Sequence, residues 1–215
     1  MSDFQKIMAE SMYWCEGLAA IVSLLYYNRV KGQHWKYFVL YLIIIFLCES
    51  VAKWGEPFIH LNKPHFYNYF VIPFQYIFFY WLYAFKSLEN KKLFYTLSII
   101  YLLSFIPSEL FFSESKIVFS LNYTFGCLIL MVLVIMEYYK QVNSYSILSF
   151  SRNRMFYINL GVTLFYIGTL PFLTFFSLIR KYITIWDMYF VYFQISGAVM
   201  YILFSISFIW GKQNS

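Results

Sequence analysis

The chain has 215 residues, 61% of them apolar and 25% aromatic, with only 12% charged, a net charge of +6 and a mean hydropathy of +0.62. A soluble domain carries roughly twice that charged fraction. The composition therefore excludes a globule covered by water-facing polar groups and places the chain among polytopic membrane proteins.

The excess of Phe, Tyr, Ile, Asn and Lys fits an A+T-rich bacterial coding genome. Part of the aromatic load is then compositional rather than chemical, and the expected location is a bacterial inner membrane. The N-terminal "MSDFQKIMAE" lacks the basic, apolar and small-residue regions of a signal peptide, so the first spanning helix is expected to direct insertion.

A helix crossing the hydrocarbon core needs about 20 mostly apolar residues. Seven segments fit: 9–28, 37–55, 66–85, 93–112, 117–139, 156–179 and 188–210. The expected fold is an all-α, seven-helix membrane bundle forming one domain over residues 1–215. The first segment is the weakest, being short of pure hydrophobes and carrying Glu16. Polar punctuation such as "NRVKGQHWK", "KSLENKK", "SESK" and "RKYITIWD" separates the segments.

Lysine and arginine collect on cytoplasmic loops. With the N-terminus outside, the inner side receives Arg29, Lys31, Lys36, Lys86, Lys91, Lys92, Lys140, Arg152, Arg154 and Lys212. The outer side receives Lys6, Lys53, Lys63, Lys116, Arg180 and Lys181. Ten against six favours N-outside and C-inside. Only Glu89 and Glu137 among the acids fall inside, which leaves +8 on the inner half and −2 on the outer half. A basic inner face suits anionic lipid headgroups and requires no nucleic acid.

Ionisable groups within spans are costly and face the bundle interior or a wet cavity. Glu16, Glu49, Lys53, Gln75, Glu109, Asn122 and Gln194 come from six different segments and fall at middle to outer depth, the pattern of an outward-open polar cavity that binds a ligand. Pro73, Pro107 and Pro171 lie in the outer halves of their segments, where each frees a backbone carbonyl. The competing reading is a set of interhelical hydrogen bonds, worth about 0.6 kcal/mol each. That suffices for Gln75, Asn122 and Gln194, whereas Glu16, Glu49 and Lys53 ask for more.

The stretch "LCESVAKWGEPFIHLNKPH" closes the second segment. Glu49, Lys53 and Glu56 are spaced i, i+4, i+7 and share a helical face, with Glu49 ahead of Lys53 in the favourable order for an ion pair. Beyond Pro57, His60, Lys63 and His65 read as an outer loop. A zinc site from Glu56, His60 and His65 is disfavoured, because histidines five apart around a proline do not share a face. Gly161 and Gly168, seven apart, and the run Ser196, Gly197, Ala198 are read as surfaces for close helix packing. Cys15, Cys48 and Cys127 have no paired spacing and are read as buried packing residues.

Enzyme signatures are not found: no HExxH, no GxSxG and no phosphate-cradling glycine loop. The expectation is a non-enzymatic protein with no cofactor and no metal. The last segment, "DMYFVYFQISGAVMYILFSISFIW", contains no lysine, which excludes the retinal Schiff base of microbial rhodopsins. Pro73 and Pro171 do not occupy equivalent positions of the three-helix repeat that sugar transporters of the SWEET type use.

"RNRMFYINLGVTLFYIGTLPFLTFF" followed by "WDMYFVYFQISGAVMYILFSISFIWGK", with an echo in "FYNYFVIPFQYIFFYWLYAFK", resembles small bacterial seven-helix membrane modules found alone or associated with sensor histidine kinases. The resemblance covers roughly the last 65 residues and carries no catalytic residues over. It implies a sensory or regulatory accessory subunit that acts through a cytoplasmic partner such as a kinase or effector. The inner loop "KQVNSYSILSFSRNR", with Lys140, Arg152 and Arg154, is the candidate contact for that partner, against a plain solvated connector. The alternatives are a small-molecule transporter or channel, and a membrane accessory of a bacterial CRISPR-type defence system.

Overall fold

Three asparagines mark where helices begin. Asn62 accepts the His65 amide at 3.3 Å, Asn90 the Leu93 amide at 2.9 Å and Asn153 the Met155 amide at 2.9 Å. Each supplies the acceptor that an exposed helix N-terminus lacks. The computed structural model describes residues 3–55, 62–106, 121–143, 152–175, 179 and 181–211, and is all-helical over them.

Seven rods result among the described residues. They are α1 (Asp3–Leu25, extended by a turn at Tyr27–Val30), α2 (Lys36–Trp54), α3 (63–87), α4 (Lys91–Leu103), α5 (Leu121–Val142), α6 (154–174) and α7 (Ile183–Ile209). Four are long and apolar enough to cross a membrane: Lys36–Trp54, Leu121–Val142, Arg154–Phe172 and Ile183–Ile209. α1 begins earlier than residue 9 and includes Lys6, Glu10 and Glu16, while α3 carries the polar side chains of Asn68 and Gln75 within its length.

Side-chain contacts fix the direction of each rod. Tyr13 meets Ser50 and Gly17 faces Phe46, so α1 and α2 are antiparallel. Tyr37 packs on Trp81 while Glu49 meets Tyr67, so α2 and α3 are antiparallel. The same holds for α3 with α4 (Phe85 on Phe94, Tyr69 on Phe105) and for α6 with α7 (Gly168 on Tyr192, Gly161 on Met200). α3 and α5 run parallel through Tyr76 with Tyr123 and Ser87 with Glu137. α1 and α7 are also parallel: Gln5 donates to Asp187 at 2.8 Å, and Met12 fills the space over Gly197. The rods thus alternate up and down, and the first and last close the bundle side by side.

α3 is the central rod. Tyr76, Phe79, Tyr80 and Tyr83 are fully buried, and their rings meet α2, α4, α5, α6 and α7. Tyr76 donates to the Tyr123 carbonyl at 3.0 Å and Tyr80 to the Gly126 carbonyl at 2.7 Å, so α5 satisfies two deeply placed hydroxyls. Gly126 is required there, since a Cβ would meet the Tyr76 ring at 2.7 Å and the Tyr101 ring at 2.8 Å.

Wide turns accommodate two of the prolines. A π-helical turn spans Tyr67–Val71 ahead of Pro73, and another spans Thr163–Ile167 ahead of Pro171. In each case the carbonyl four residues before the proline, which loses its amide partner, lies within the wide turn. Pro107 lies outside the described residues. The glycines of α6 behave as packing surfaces: a Cβ on Gly161 would reach the Met200 backbone at 3.3 Å.

The end opposite the α1 N-terminus is pinned by Arg154. Its guanidinium donates to the Ser207 carbonyl at 3.1 Å and the Gly211 carbonyl at 2.9 Å, and stacks on Trp35 and Phe208. This holds the C-terminal end of α7, where unsatisfied carbonyls gather. His34 stacks on Trp35 nearby. Burial, followed by the charges of Lys86 and Arg154, holds its imidazole below the ordinary value. An unfolded chain therefore takes up the proton first, and the folded state loses stability as pH falls from about 7 through about 6.5 toward the lower folded value. His34→Gln is expected to flatten that decline, read as the melting temperature of the purified protein in micelles between pH 7 and 5.

Candidate functional site: a polar cavity at one end of the bundle

α1 presents Ala9, Tyr13 and Glu16 at i, i+4, i+7, so these share one face. That face, the C-terminal end of α2, the first half of α3, and parts of α5, α6 and α7 enclose a cavity of about 480 Å³. It lies at the end of the bundle bearing the α1 N-terminus. Five residues expected from sequence line it together: Glu16, Glu49, Lys53, Gln75 and Gln194.

The other two are elsewhere. Asn122 is 4% exposed and its side chain accepts from the Ser104 hydroxyl at 3.4 Å, a bond between α5 and α4 rather than a cavity contact. Glu109 lies outside the described residues. So do Glu56 and His60 of the disfavoured zinc set, whereas His65 lies against the Tyr69 ring. Among the described residues, no group of three or more His, Cys, Asp and Glu side chains could hold a metal ion.

The expected Glu49–Lys53 pair is not made. Lys53 instead reaches across to α1, where its ammonium donates to both oxygens of Glu10 at 2.7 Å and lies 4.2 Å from the centre of the Tyr13 ring. Glu49 turns inward and accepts the Tyr67 hydroxyl at 2.7 Å. The physical reason is reach. A lysine on a four-carbon stem at the end of a helix finds a carboxylate and a ring on the neighbouring rod, while Glu49 is turned toward Tyr67 with one oxygen.

Glu16 sits deepest, 2% exposed, within Coulombic reach of Glu49 and facing the Tyr201 hydroxyl. Its Oε1 has no hydrogen-bond partner. Gln75 accepts the Tyr166 hydroxyl at 3.0 Å. Apolar walls come from aromatic and methionine side chains, including Phe193 and Met200. Below the cavity, rings of Phe38, Tyr41, Phe78, Phe79 and Phe204 pack face to face and edge to face.

Sequence reasoning missed Glu10, Tyr13, Tyr67 and Tyr201 as parts of this site. The helical spacing of Ala9, Tyr13 and Glu16 is the signal that would have found the first wall. The tyrosines carried none, in a chain with 22 of them.

At the other end, Arg152 is exposed, whereas Arg154 is 4% exposed and bound to α7. Arg154 is thus turned into the bundle, with its Nε and one terminal nitrogen on helix-end carbonyls. Lys140 donates to the Ser87 carbonyl and, at 3.3 Å, to the Ser87 hydroxyl, which ties α5 to the end of α3. Beside it, buried Glu137 accepts from Ser87 at 2.5 Å and from Gln141 at 2.9 Å. Residues 144–151 of the loop lie outside the described residues.

Comparison with known protein families, curated proteins and solved structures gives no match.

The two ends of the Glu49–Lys53 stretch should differ in energetic weight. Tyr67→Phe removes a charge-assisted hydrogen bond to the half-buried Glu49 carboxyl and is expected to cost about 1–3 kcal/mol. Lys53→Met breaks a pair whose side chains are 28% and 52% exposed, and is expected to cost under about 1 kcal/mol. Denaturant unfolding in micelles measures both, with the larger loss in Tyr67→Phe.

Proposed function

We propose that the chain is a seven-span sensory or regulatory subunit of a bacterial inner membrane, with its N-terminus outside and its C-terminus in the cytoplasm. It binds a small ligand in the outer cavity and acts through a cytoplasmic partner. The observation that carries the reading is the convergence of Glu16, Glu49, Lys53, Gln75 and Gln194 on one cavity of about 480 Å³. That volume falls in the range of small-molecule sites, roughly 300–1,000 Å³.

Three further features support it. Parallel packing of α1 with α7 suits an odd number of alternating spans. The basic residues Arg29, Lys31, Lys86, Lys91, Lys92 and Lys140 gather at the end opposite the cavity, as the positive-inside rule asks of a cytoplasmic face. The aromatic packing beneath the cavity favours binding over passage, because a transporter needs polar groups at the midplane and a route to both sides. The resemblance to modules associated with histidine kinases points the same way.

Topology is testable by labelling. In a background with Cys15, Cys48 and Cys127 replaced, Lys63→Cys is expected to react with an impermeant maleimide added to intact cells. Glu89→Cys is expected to react only after permeabilisation. The reverse pattern overturns the orientation.

Function is testable in the native host. Deletion of the chain is expected to change a set of transcripts, and the Glu16→Gln/Glu49→Gln double variant, inserted at the wild-type level, to reproduce that change. A wild-type profile in the double variant would sink the cavity-sensing reading. Solute flux through the purified protein in liposomes, lost in Glu49→Gln, would replace it with transport.

A further inference from the structure

We propose that the cavity takes an organic ammonium ion, with the charged nitrogen between Glu16 and Glu49 and the apolar body against aromatic walls. This rests on the reading of the cavity as a ligand site and specifies the class of ligand.

The first argument is charge. Among the described residues, neither Glu16 nor Glu49 is paired with a lysine or arginine: of the two lysines lining the cavity, Lys53 is held by both oxygens of Glu10, and Lys63 makes no ion pair with either acid. Two carboxyls within Coulombic reach, one buried and one half-buried, repel each other when both are charged. A cation seated between them removes that cost.

The second argument is an unmet bond. Glu16 is 2% exposed and lines the cavity, and its Oε1 has no partner. A carboxyl oxygen is an acceptor with no donor of its own when ionised, so what it lacks is a donor. An ammonium N–H supplies one together with the opposite charge, which makes the bond short and strong. Glu49 keeps one oxygen on Tyr67 and leaves the other available to the same cation.

The third argument is that the chain already performs this recognition at the mouth of the same cavity. The Lys53 ammonium lies between a carboxylate at 2.7 Å and the face of Tyr13 at 4.2 Å. Deeper in, Glu16 and Glu49 stand in the place of Glu10, and Tyr201, Tyr67 and Phe193 offer rings around them. Rings and carboxylates together recognise cations. An anionic ligand would meet the two acids, and a neutral one, even where it donates to Glu16, would leave the repulsion between them uncompensated. The volume exceeds that needed for an inorganic cation, and the walls offer apolar surface that such an ion cannot use.

Calorimetry on the purified full-length protein in micelles at pH 7 tests this with three probes of one shape: phenethylammonium, 2-phenylethanol and phenylacetate. Phenethylammonium is expected to bind at least about tenfold tighter than either of the others. Glu16→Gln and Glu49→Gln are each expected to weaken it by roughly tenfold while leaving 2-phenylethanol nearly unchanged. Ala52→Trp, which projects an indole into the cavity from its wall, is expected to remove the signal and so separates the site from partitioning into the micelle.

Equal affinity for the three probes, or preference for phenylacetate, overturns the cation assignment and leaves a ligand cavity standing. Binding that survives Ala52→Trp, or binding by none of the three, overturns both. If Glu16→Gln fails to insert, Glu49→Gln and the three-probe comparison on the native chain decide the matter.

Discussion

The closure of α1 on α7 is the contact on which the rest depends. α1 carries Lys6, Glu10 and Glu16, and a charged side chain at the centre of a lone membrane helix costs about 2.5–3.5 kcal/mol on insertion scales. In the seven-span reading proposed above, α1 would avoid that cost because Glu16 is turned inward, to 2% exposure against Tyr201 of α7. Close approach makes this feasible. Gly197 leaves room for Met12, and on the α2 side Gly17 leaves room for the Phe46 ring. The cavity therefore follows from how a polar helix is made tolerable: two sides of α1 are covered, and the face between them encloses space.

The floor beneath that space has a different origin. α3 is a rod of aromatic residues whose hydroxyls would be a liability in an apolar interior. Tyr76 and Tyr80 spend theirs on α5 carbonyls, and Gly126 brings that backbone within reach. The π-helical turn before Pro73 widens α3 at the level of the cavity, where Tyr67 and Gln75 project into it. Polar groups line the upper part, and ring-on-ring packing fills the lower part.

The location of polar groups was legible in the sequence because it depends on hydropathy and helical depth alone. Glu16, Glu49, Lys53, Gln75 and Gln194 could be placed near one level without knowing which rods touch. The choice of partner was not legible. Lys53 had a well-spaced glutamate on its own helix and took Glu10 on another, a matter of side-chain reach across a groove that exists only after packing. Arg154 has the composition of a loop cation, and only the end of α7, 53 residues away in sequence, shows why it is buried. Tyr67 and Tyr201 were hidden by abundance, since one tyrosine among many carries no positional signal.

α7 is where the two ends of the molecule meet mechanically. It contributes Gln194, Met200 and Tyr201 to the cavity wall, and at its far end its carbonyls are held by Arg154 beside Trp35. At 27 residues and about 1.5 Å per residue it spans roughly 40 Å. It has no proline and makes few side-chain hydrogen bonds outside itself, so it packs chiefly through small residues and rings. A rod of that kind can shift or rotate as a unit when the groups at one end rearrange. α3 and α6, each widened by a π-helical turn, would absorb such a shift within their own length. In a sensory reading, occupancy between Glu16 and Glu49 bears directly on the α1–α7 contact. α7 is the element that would carry the change to the basic end.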